Sequence, residues 1–264
     1  MLASLAMTAV NLSRSLPVAV LELARPESGN ALDAELVAGL RSGVEAAAAS
    51  GARALVLAGA GRHFCTGANL RELARLNDAT AAERLADAEQ LAAAYAAILR
   101  SPLLTVAAVH GAAYGGGFGL AAACDLVVAA PDARLQFSEV RLGFVPALIS
   151  VFLPRRLPPA RLATLLLDPA PLDAAGALAA GLVDEIAPLP RERAIERAAA
   201  IARKASPAAI AATKGLLLAL SLPDLDAQLA HAARVNAAQR EHPECRRGIA
   251  AVLAGEGFPT WLDE

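Results

Sequence analysis

One stretch of the sequence decides the fold: His110-Gly111-Ala112-Ala113-Tyr114-Gly115-Gly116-Gly117-Phe118-Gly119. It lies in a segment, residues 101–124, that carries no charged residue and is long enough for a membrane-spanning helix. However, Pro102 begins the segment and five glycines crowd its second half, which favours a strand, a tight turn and a new helix over one continuous rod. We therefore place it in the buried core of an α/β protein and not in a membrane.

Strands and helices alternate on both sides of this turn, which is the pattern of an α/β protein. The predicted strands are Val10–Leu12, Val18–Leu23, Ala54–Leu57, Thr105–Val109, Leu126–Ala129 and Arg134–Phe137. The predicted helices are one capped by Asp33 and ending near Gly51, then Ala81–Leu99, Phe118–Cys124, Ala160–Leu167, Asp173–Ala180, Arg191–Ala205, Pro207–Ala219, Asp224–Ala238 and Pro243–Leu253. We expect a core over residues 1–200 and a helical region over residues 201–264.

Composition excludes several classes of function. The 264 residues are 56% hydrophobic with a net charge of −2, so the chain is globular and has no field that would gather nucleic acid. Its three cysteines are an odd number, which argues against a disulfide framework and favours a reducing, cytoplasmic setting. No two cysteines and no two histidines lie two to four residues apart, which is the spacing typical of metal ligands, so we expect no metal.

A second glycine-marked turn is Phe64-Cys65-Thr66-Gly67-Ala68-Asn69-Leu70, again between a strand and a helical segment. Backbone N–H groups at the start of a helix have no internal partner and suit an anion or a developing oxyanion. Taken alone, a glycine-marked turn of this kind is more often only a tight turn than an anion-binding site. Neither fits the phosphate-binding or dinucleotide-binding glycine motifs, and no G-x-S-x-G of a serine hydrolase occurs.

Glu139 is the third feature that suggests chemistry. It follows a predicted strand and stands among the apolar Val140, Leu142 and Phe144. Apolar surroundings disfavour ionisation, so we expect the pKa of this carboxyl to rise towards the range of a proton donor. The alternative is a surface salt bridge between Glu139 and Arg141.

Taken in this order, the two turns and the Glu139 segment resemble the crotonase (enoyl-CoA hydratase/isomerase) superfamily. The resemblance runs over almost the whole chain. Besides the turns it rests on Arg25-Pro26, Asn30-Ala31-Leu32, Ser138-Glu139-Val140-Arg141-Leu142-Gly143, residues 174–183, residues 206–214 and Gly248-Ile249.

The resemblance implies a crotonase-like spiral of ββα units whose C-terminal helices form a trimerisation region, in a homotrimer or hexamer. The substrate is an acyl-CoA, with coenzyme A as part of the substrate and no separate cofactor. The thioester oxygen lies between the N–H groups of Ala68 and Gly116, Glu139 transfers the proton, and the acyl chain runs towards residues 145–150. The implied substrate contacts are Arg25, Cys65, Thr66, Gly67, Asn69, Leu70, Tyr114, Gly115, Gly119, Val145 and Pro146.

Similar hydratases commonly carry two catalytic glutamates, of which the second matches Glu139 and the first falls on Gly119. We expect an enoyl-CoA hydratase, a hydro-lyase acting on 2-enoyl-CoA. The alternatives are an isomerase of 3-enoyl-CoA, which needs one carboxylate, and a hydratase of branched or carboxylated enoyl-CoA (methylglutaconyl-CoA-like), suggested by Val145-Pro146-Ala147. Outside the enzymes, a non-catalytic acyl-CoA-binding protein is the alternative, and the presence of Glu139 argues against it.

The C-terminal region is predicted to be the assembly surface. Its helices from Asp224 onward carry a set of apolar residues that we expect to face a neighbouring chain. These are Leu225, Leu229, Val235, Ile249, Val252 and Leu253.

Overall fold

The computed structural model describes residues 3–7 and 9–261. Within them lie ten strands: β1 (Ala3–Met7), β2 (Val10–Ser15), β3 (Val18–Leu23), β4 (Ala54–Gly59), β5 (Leu104–Val109), β6 (Ala112–Tyr114), β7 (Leu126–Ala129), β8 (Arg134–Gln136), β9 (Leu172–Asp173) and β10 (Glu185–Ile186). The α-helices are α1 (Ala34–Ala49), α2 (Leu70–Arg75), α3 (Ala81–Arg100), α4 (Gly116–Ala123), α5 (Ala147–Phe152), α6 (Pro159–Leu167), α7 (Ala174–Ala179), α8 (Pro190–Lys204), α9 (Pro207–Ser221), α10 (Leu225–Gln239) and α11 (Pro243–Leu253).

The main sheet has seven strands in the order β1-β2-β3-β4-β5-β7-β10. β1, β2 and β3 pair antiparallel, and from β3 onward every pairing is parallel. Every residue of β4 and β5 is buried, which explains their unbroken apolar sequences, since parallel strands are covered on both faces. Leu55 and Leu57 pack into the cluster with α1 and α3, while Ala54 and Val56 pack against α8.

A smaller sheet, in the order β6-β8-β9, places the candidate site. β6 leads through Gly115 into α4, and β8 leads into a short 3-10 helix, Glu139–Leu142. β6 and β8 pair parallel, so the segments that follow them leave from the same edge of this sheet. The glycine turn and Glu139 are therefore brought together by one strand pairing.

The predicted α/β class and the longer predicted elements are confirmed. The short strands β1, β6, β9 and β10 and the helix α5 were not predicted, because two to six residues give too little periodicity. The helical segment expected after the turn at residues 64–70 is α2. The predicted helix Phe118–Cys124 begins two residues earlier, at Gly116. The chain changes direction between β6 and α4 at Gly115, whose φ is +49°. The predicted division at residue 200 lies inside α8, and it stays a prediction.

The predicted exposed surface of the C-terminal helices is wrong for three of its residues. Leu225, Leu229 and Ile249 are 5%, 4% and 1% exposed, because α10 packs on α3 and α5 and α11 packs on α2 within this chain. Val235 and Leu253 of the predicted set are exposed, at 37% and 43%, and a further exposed apolar face lies on α9, which buries no residue. Three of its leucines are at least half exposed: Leu216, Leu217 and Leu220.

None of the single helices within the described residues is long and apolar enough to cross a membrane. One pair, α9 and α10, passes the test of length and composition when taken together, with a bend of 59° between the two helices. Six residues of α10 are buried inside the protein, as is usual for a core helix.

Candidate active site

A cavity lies between the two glycine turns, the Glu139 segment and the C-terminal helices. It brings together ten of the residues expected from the sequence: Thr66, Gly67, Ala68, Leu70, Tyr114, Gly115, Gly116, Glu139, Val145 and Pro146. The other four expected residues do not line it: Arg25, Cys65, Asn69 and Gly119. Most of the wall is apolar, and α3 and α5 supply Leu91, Leu148 and Ile149.

The two turns are joined by backbone hydrogen bonds. The N–H of Cys65 donates to the carbonyl of Ala112 (3.2 Å), and the N–H of Tyr114 donates to the carbonyl of Cys65 (3.0 Å). The approach is close enough to require glycine, since a Cβ on Gly117 would lie 2.6 Å from the sulfur of Cys65 and one on Gly67 would lie 2.8 Å from the carbonyl oxygen of Tyr114. The spacing of the turns is therefore fixed by their own backbones.

The N–H groups of Ala68 and Gly116 are free donors on the cavity wall. Within residues 9–261 neither donates a hydrogen bond, whereas the neighbouring N–H of Asn69 donates to Leu32 and that of Gly119 donates to Gly115. Gly116 is the first residue of α4, where the helix dipole adds positive potential. Two such donors from adjacent turns suit an oxygen on which negative charge develops.

Tyr95 of α3 supports the second turn. Its side chain is fully buried, its hydroxyl donates to the carbonyl of Gly116 (2.8 Å), and its ring packs on Phe152. Burial is the main cause that raises its pKa, followed by the nearby Cys65 and Glu139, so it stays a neutral hydrogen-bonding group. Sequence analysis missed it, since a tyrosine on the buried face of a helix gives no signal beyond packing.

Glu139 occupies the apolar environment predicted for it. The structure places its Oε1 against Gly115, where a Cβ would lie only 3.0 Å away, and its Oε2 is enclosed without a hydrogen-bond partner. Desolvation raises the pKa of the carboxyl from 4.5 to about 7. The alternative salt bridge with Arg141 is wrong, because the guanidinium of Arg141 lies 3.9 Å from the centre of the Phe258 ring.

Comparison with known proteins gives the family. Residues 14–259 match the family model described as enoyl-CoA hydratase/isomerase. The chain belongs to the enoyl-CoA hydratase/isomerase family. It is 40% identical over 238 residues, 89% of this chain and 93% of the relative, to a Thermus thermophilus protein named "Putative enoyl-CoA hydratase".

Solved structures of enoyl-CoA hydratases share the fold of this family member. The one from Bacillus halodurans is 28% identical and superposes with a TM-score of 0.86, with 92% of this chain and 100% of that chain covered. One from Mycobacterium avium is 32% identical with a TM-score of 0.84, with 96% and 99% covered. These comparisons confirm the crotonase-like fold of the chain.

Gly119 stands where the resemblance predicts a first glutamate of this family. A Cβ at this position would lie 2.5 Å from Cγ2 of Ile149 and 3.0 Å from the hydroxyl of Tyr95. The space for a side chain is therefore already filled, and Gly119 is covered from the cavity by these two residues. A glutamate introduced at position 119 alone would have to displace both.

The other predicted residues outside the cavity wall have partners within the fold or are buried in it. Asn69 caps α2 by accepting from the N–H of Arg71 (3.1 Å). Arg25 forms an ion pair with Glu35. Cys65 is fully buried, and burial raises the pKa of its thiol to about 12, so it is no nucleophile at neutral pH.

Several wall residues are not among the predicted contacts, although Ala147, Leu148 and Ile149 lie in the stretch 145–150 that the acyl chain is expected to reach. Most of the set comes from helices and segments other than the two turns, and only the apolar or polar character of these residues could have been read in advance. They are Leu32, Leu73, Leu91, Tyr95, Ser138, Leu142, Phe144, Ala147, Leu148, Ile149, Asn236, Ile249, Val252 and Phe258.

The enclosed Glu139 predicts a pH-dependent effect of Glu139→Gln on stability. The folded carboxyl stays protonated up to a pH of about 7, whereas the unfolded one ionises near 4.5. The stability of the wild type therefore declines as pH rises between these values, and glutamine escapes this loss. Each pKa unit corresponds to about 1.4 kcal/mol. The free energy of unfolding of the variant, relative to that of the wild type, should therefore be about 3 kcal/mol higher at pH 8 than at pH 4.

Denaturant unfolding at a series of pH values measures this gain. Glu89→Gln, on an exposed position of α3, is the matched control for loss of a carboxylate. A stability difference between Glu139→Gln and the wild type that is the same at every pH would contradict the enclosed, shifted carboxyl.

Proposed function

We propose that this family member is an enoyl-CoA hydratase that adds water across a 2-enoyl-CoA thioester. The observation that carries the proposal is the pair of free N–H groups, from Ala68 and Gly116, in one cavity with the enclosed carboxyl of Glu139. This pair suits a thioester oxygen as it becomes enolate-like, and the carboxyl suits proton transfer at the neighbouring carbon.

In the proposed reaction the thioester oxygen accepts hydrogen bonds from both N–H groups. Glu139 delivers its proton to the α-carbon while the oxygen of a water molecule adds at the β-carbon, and the proton lost by that water returns to Glu139. A pKa of about 7 allows the carboxyl both to give and to take a proton near neutral pH. The donors cost no reorganisation, since their turns are already fixed by the Cys65 hydrogen bonds.

An isomerase is the second candidate, and one observation favours it. Glu139 is the one carboxylate among the described residues that line the cavity. Moving a proton from the α-carbon to the γ-carbon of a 3-enoyl-CoA needs one carboxylate only, which starts the reaction ionised. The third candidate is a hydratase of carboxylated enoyl-CoA. The described wall residues include no Lys or Arg that would pair with a carboxylate on the acyl group, which disfavours this candidate.

The remaining parts of the proposal concern setting and assembly. We propose that coenzyme A is part of the substrate, that its arm extends out of the cavity past the turn at residues 65–69, and that there is no separate cofactor. The three cysteines are unpaired and buried, which supports a cytoplasmic location. The exposed leucines of α9 support a homotrimer or hexamer, because a contiguous apolar face is costly to leave in water.

Glu139→Gln tests the chemistry. The turnover number of the wild type is measured on a short-chain 2-enoyl-CoA and its 3-enoyl isomer side by side. We expect hydration to dominate, and the variant to lose about 100- to 10,000-fold in kcat with acyl-CoA binding kept. No turnover of either substrate by the wild type, with acyl-CoA still bound, would identify the non-catalytic binding protein instead.

The pH dependence separates the two enzymatic candidates. A hydratase in which Glu139 donates its proton needs the protonated form, so kcat/KM should fall as pH rises through about 7. An isomerase that begins by removing a proton needs the carboxylate, so kcat/KM should fall as pH drops through the same value. If kcat/KM on the better substrate falls as pH drops through about 7, the protein is an isomerase and not a hydratase.

Gly116→Pro tests the donor pair, with Gly116→Ala as its matched control. Both variants place a Cβ near the Tyr95 hydroxyl and Leu32, at 3.0 and 3.1 Å, but only proline removes the N–H. Proline suits the first position of a helix, so the fold is expected to survive. We expect the proline variant to be about 100- to 1,000-fold slower in kcat than the alanine variant. Equal rates would show that this N–H is not a donor in catalysis.

Leu220→Lys tests the assembly. Leu220 is 73% exposed on α9. The matched control is Leu16→Lys, at a leucine that is 63% exposed in the turn between β2 and β3. By light scattering we expect the wild type and the control to be trimers or hexamers, and Leu220→Lys to dissociate at micromolar concentration. A monomeric wild type, or an unchanged assembly in the variant, would contradict this use of α9.

A further inference from the structure

Asn236 of α10 is a polar residue in a part of the cavity wall that is otherwise apolar. The remaining polar wall groups belong to the two turns, the Glu139 segment and Tyr95, which hold the reacting end. α10 packs instead on α3 and α5, and these helices supply Leu91, Leu148 and Ile149 to the wall. Asn236 is only 5% exposed, so its amide has been taken out of bulk water. A buried amide of this kind needs a partner.

Arg240 fixes the orientation of this amide. Its Nε and Nη2 donate to Oδ1 of Asn236, at 3.2 and 2.9 Å. Since an arginine can only donate, the oxygen must face Arg240, and the amide nitrogen must face away from it. Within residues 9–261 this Nδ2 has no hydrogen-bond partner. The amide therefore keeps two N–H donors unused beside the cavity.

The charge of Arg240 is already balanced. Its Nη1 lies 2.7 Å from Oδ2 of Asp87 on α3, and the arginine is 4% exposed. The ion pair links α10 to α3, and it leaves no net positive charge behind Asn236. What this part of the wall offers a ligand is a neutral N–H donor.

We propose that Asn236 is a specificity-determining residue that donates a hydrogen bond to an uncharged oxygen, such as a keto oxygen, on the distal part of the acyl group. A plain alkyl chain would leave the Nδ2 donors buried and unpaired, which is unfavourable. A distal carboxylate would have to be desolvated with no cation to pair it. The proposal deepens the proposed function, on which it rests for the seating of an acyl-CoA in this cavity.

Binding of unreactive, saturated thioesters tests the proposal without turnover. Calorimetry compares hexanoyl-CoA with 4-oxohexanoyl-CoA, 5-oxohexanoyl-CoA and glutaryl-CoA, the last of which carries a carboxylate where 5-oxohexanoyl-CoA carries a methyl ketone. We expect the wild type to bind at least one oxo thioester about 10-fold more tightly than hexanoyl-CoA, since a hydrogen bond of typical net strength gives a factor of this order. Glutaryl-CoA should bind more weakly than 5-oxohexanoyl-CoA.

Two variants remove the donor in different ways. Asn236→Leu should abolish the oxo preference and bind hexanoyl-CoA at least as well as the wild type. Asn236→Asp keeps an oxygen for Arg240 but has no Nδ2, so it should lose the preference even if the leucine variant fails to fold. The matched control is Gln239→Leu, on the same helix, which does not line the cavity and whose amide donates to the carbonyl of Gly143 (2.9 Å). It should keep the preference.

Three outcomes would overturn the proposal. The first is that neither oxo thioester binds more tightly than hexanoyl-CoA. The second is that the oxo preference survives in both Asn236 variants. The third is that glutaryl-CoA binds most tightly of the four thioesters and that this tight binding depends on Asn236. Failure of the proposed function looks different. A protein that binds the oxo thioesters through Asn236 but turns over no enoyl-CoA retains this inference and loses the hydratase.

Discussion

The hydrogen bonds between Cys65 and strand β6 set the geometry on which the site depends. They hold two turns, nearly fifty residues apart in sequence, so close that Gly67 and Gly117 have no room for a side chain. Each turn then contributes one N–H group that the fold leaves unpaired, from Ala68 and Gly116. Donors fixed in this way need no rearrangement when charge develops on a bound oxygen, which is the condition for strong electrostatic stabilisation.

A second pairing of β6, with β8, brings the carboxyl of Glu139 to the turn. β8 pairs with β6, so the segment after β8 lies beside Gly115, and the apolar surroundings keep the carboxyl near the midpoint of its titration at neutral pH. Tyr95 and Ile149 fill the space beside Gly119. The absence of a side chain at this position is thus built into the packing, and Glu139 supplies the one carboxyl group among the described residues that line the cavity.

The sequence predicted the parts of the site that are local. The glycine turns carry their signal in consecutive residues, and Glu139 carries its signal in its apolar neighbours, so all three could be found without a structure. Tyr95 and Asn236 could not, because periodicity shows that a helical residue is buried but not which cavity it meets. The prediction of which residues of the C-terminal helices are exposed was wrong in part for a related reason. α9 and α10 each carry a pair of leucines four residues apart, Leu216/Leu220 and Leu225/Leu229, and only tertiary packing decides that the second pair is covered while the first is exposed.

The central claim is that this cavity stabilises a thioester enolate with Glu139 as the acid and base. The most direct measurement is deuterium exchange at the α-carbon of butyryl-CoA in heavy water, followed by mass spectrometry and NMR. A saturated thioester can neither be hydrated nor isomerised, so the exchange reports enolate formation alone. The account predicts exchange of one of the two α-protons by the wild type and its loss in Glu139→Gln. No exchange by the wild type, or undiminished exchange in the variant, would contradict it.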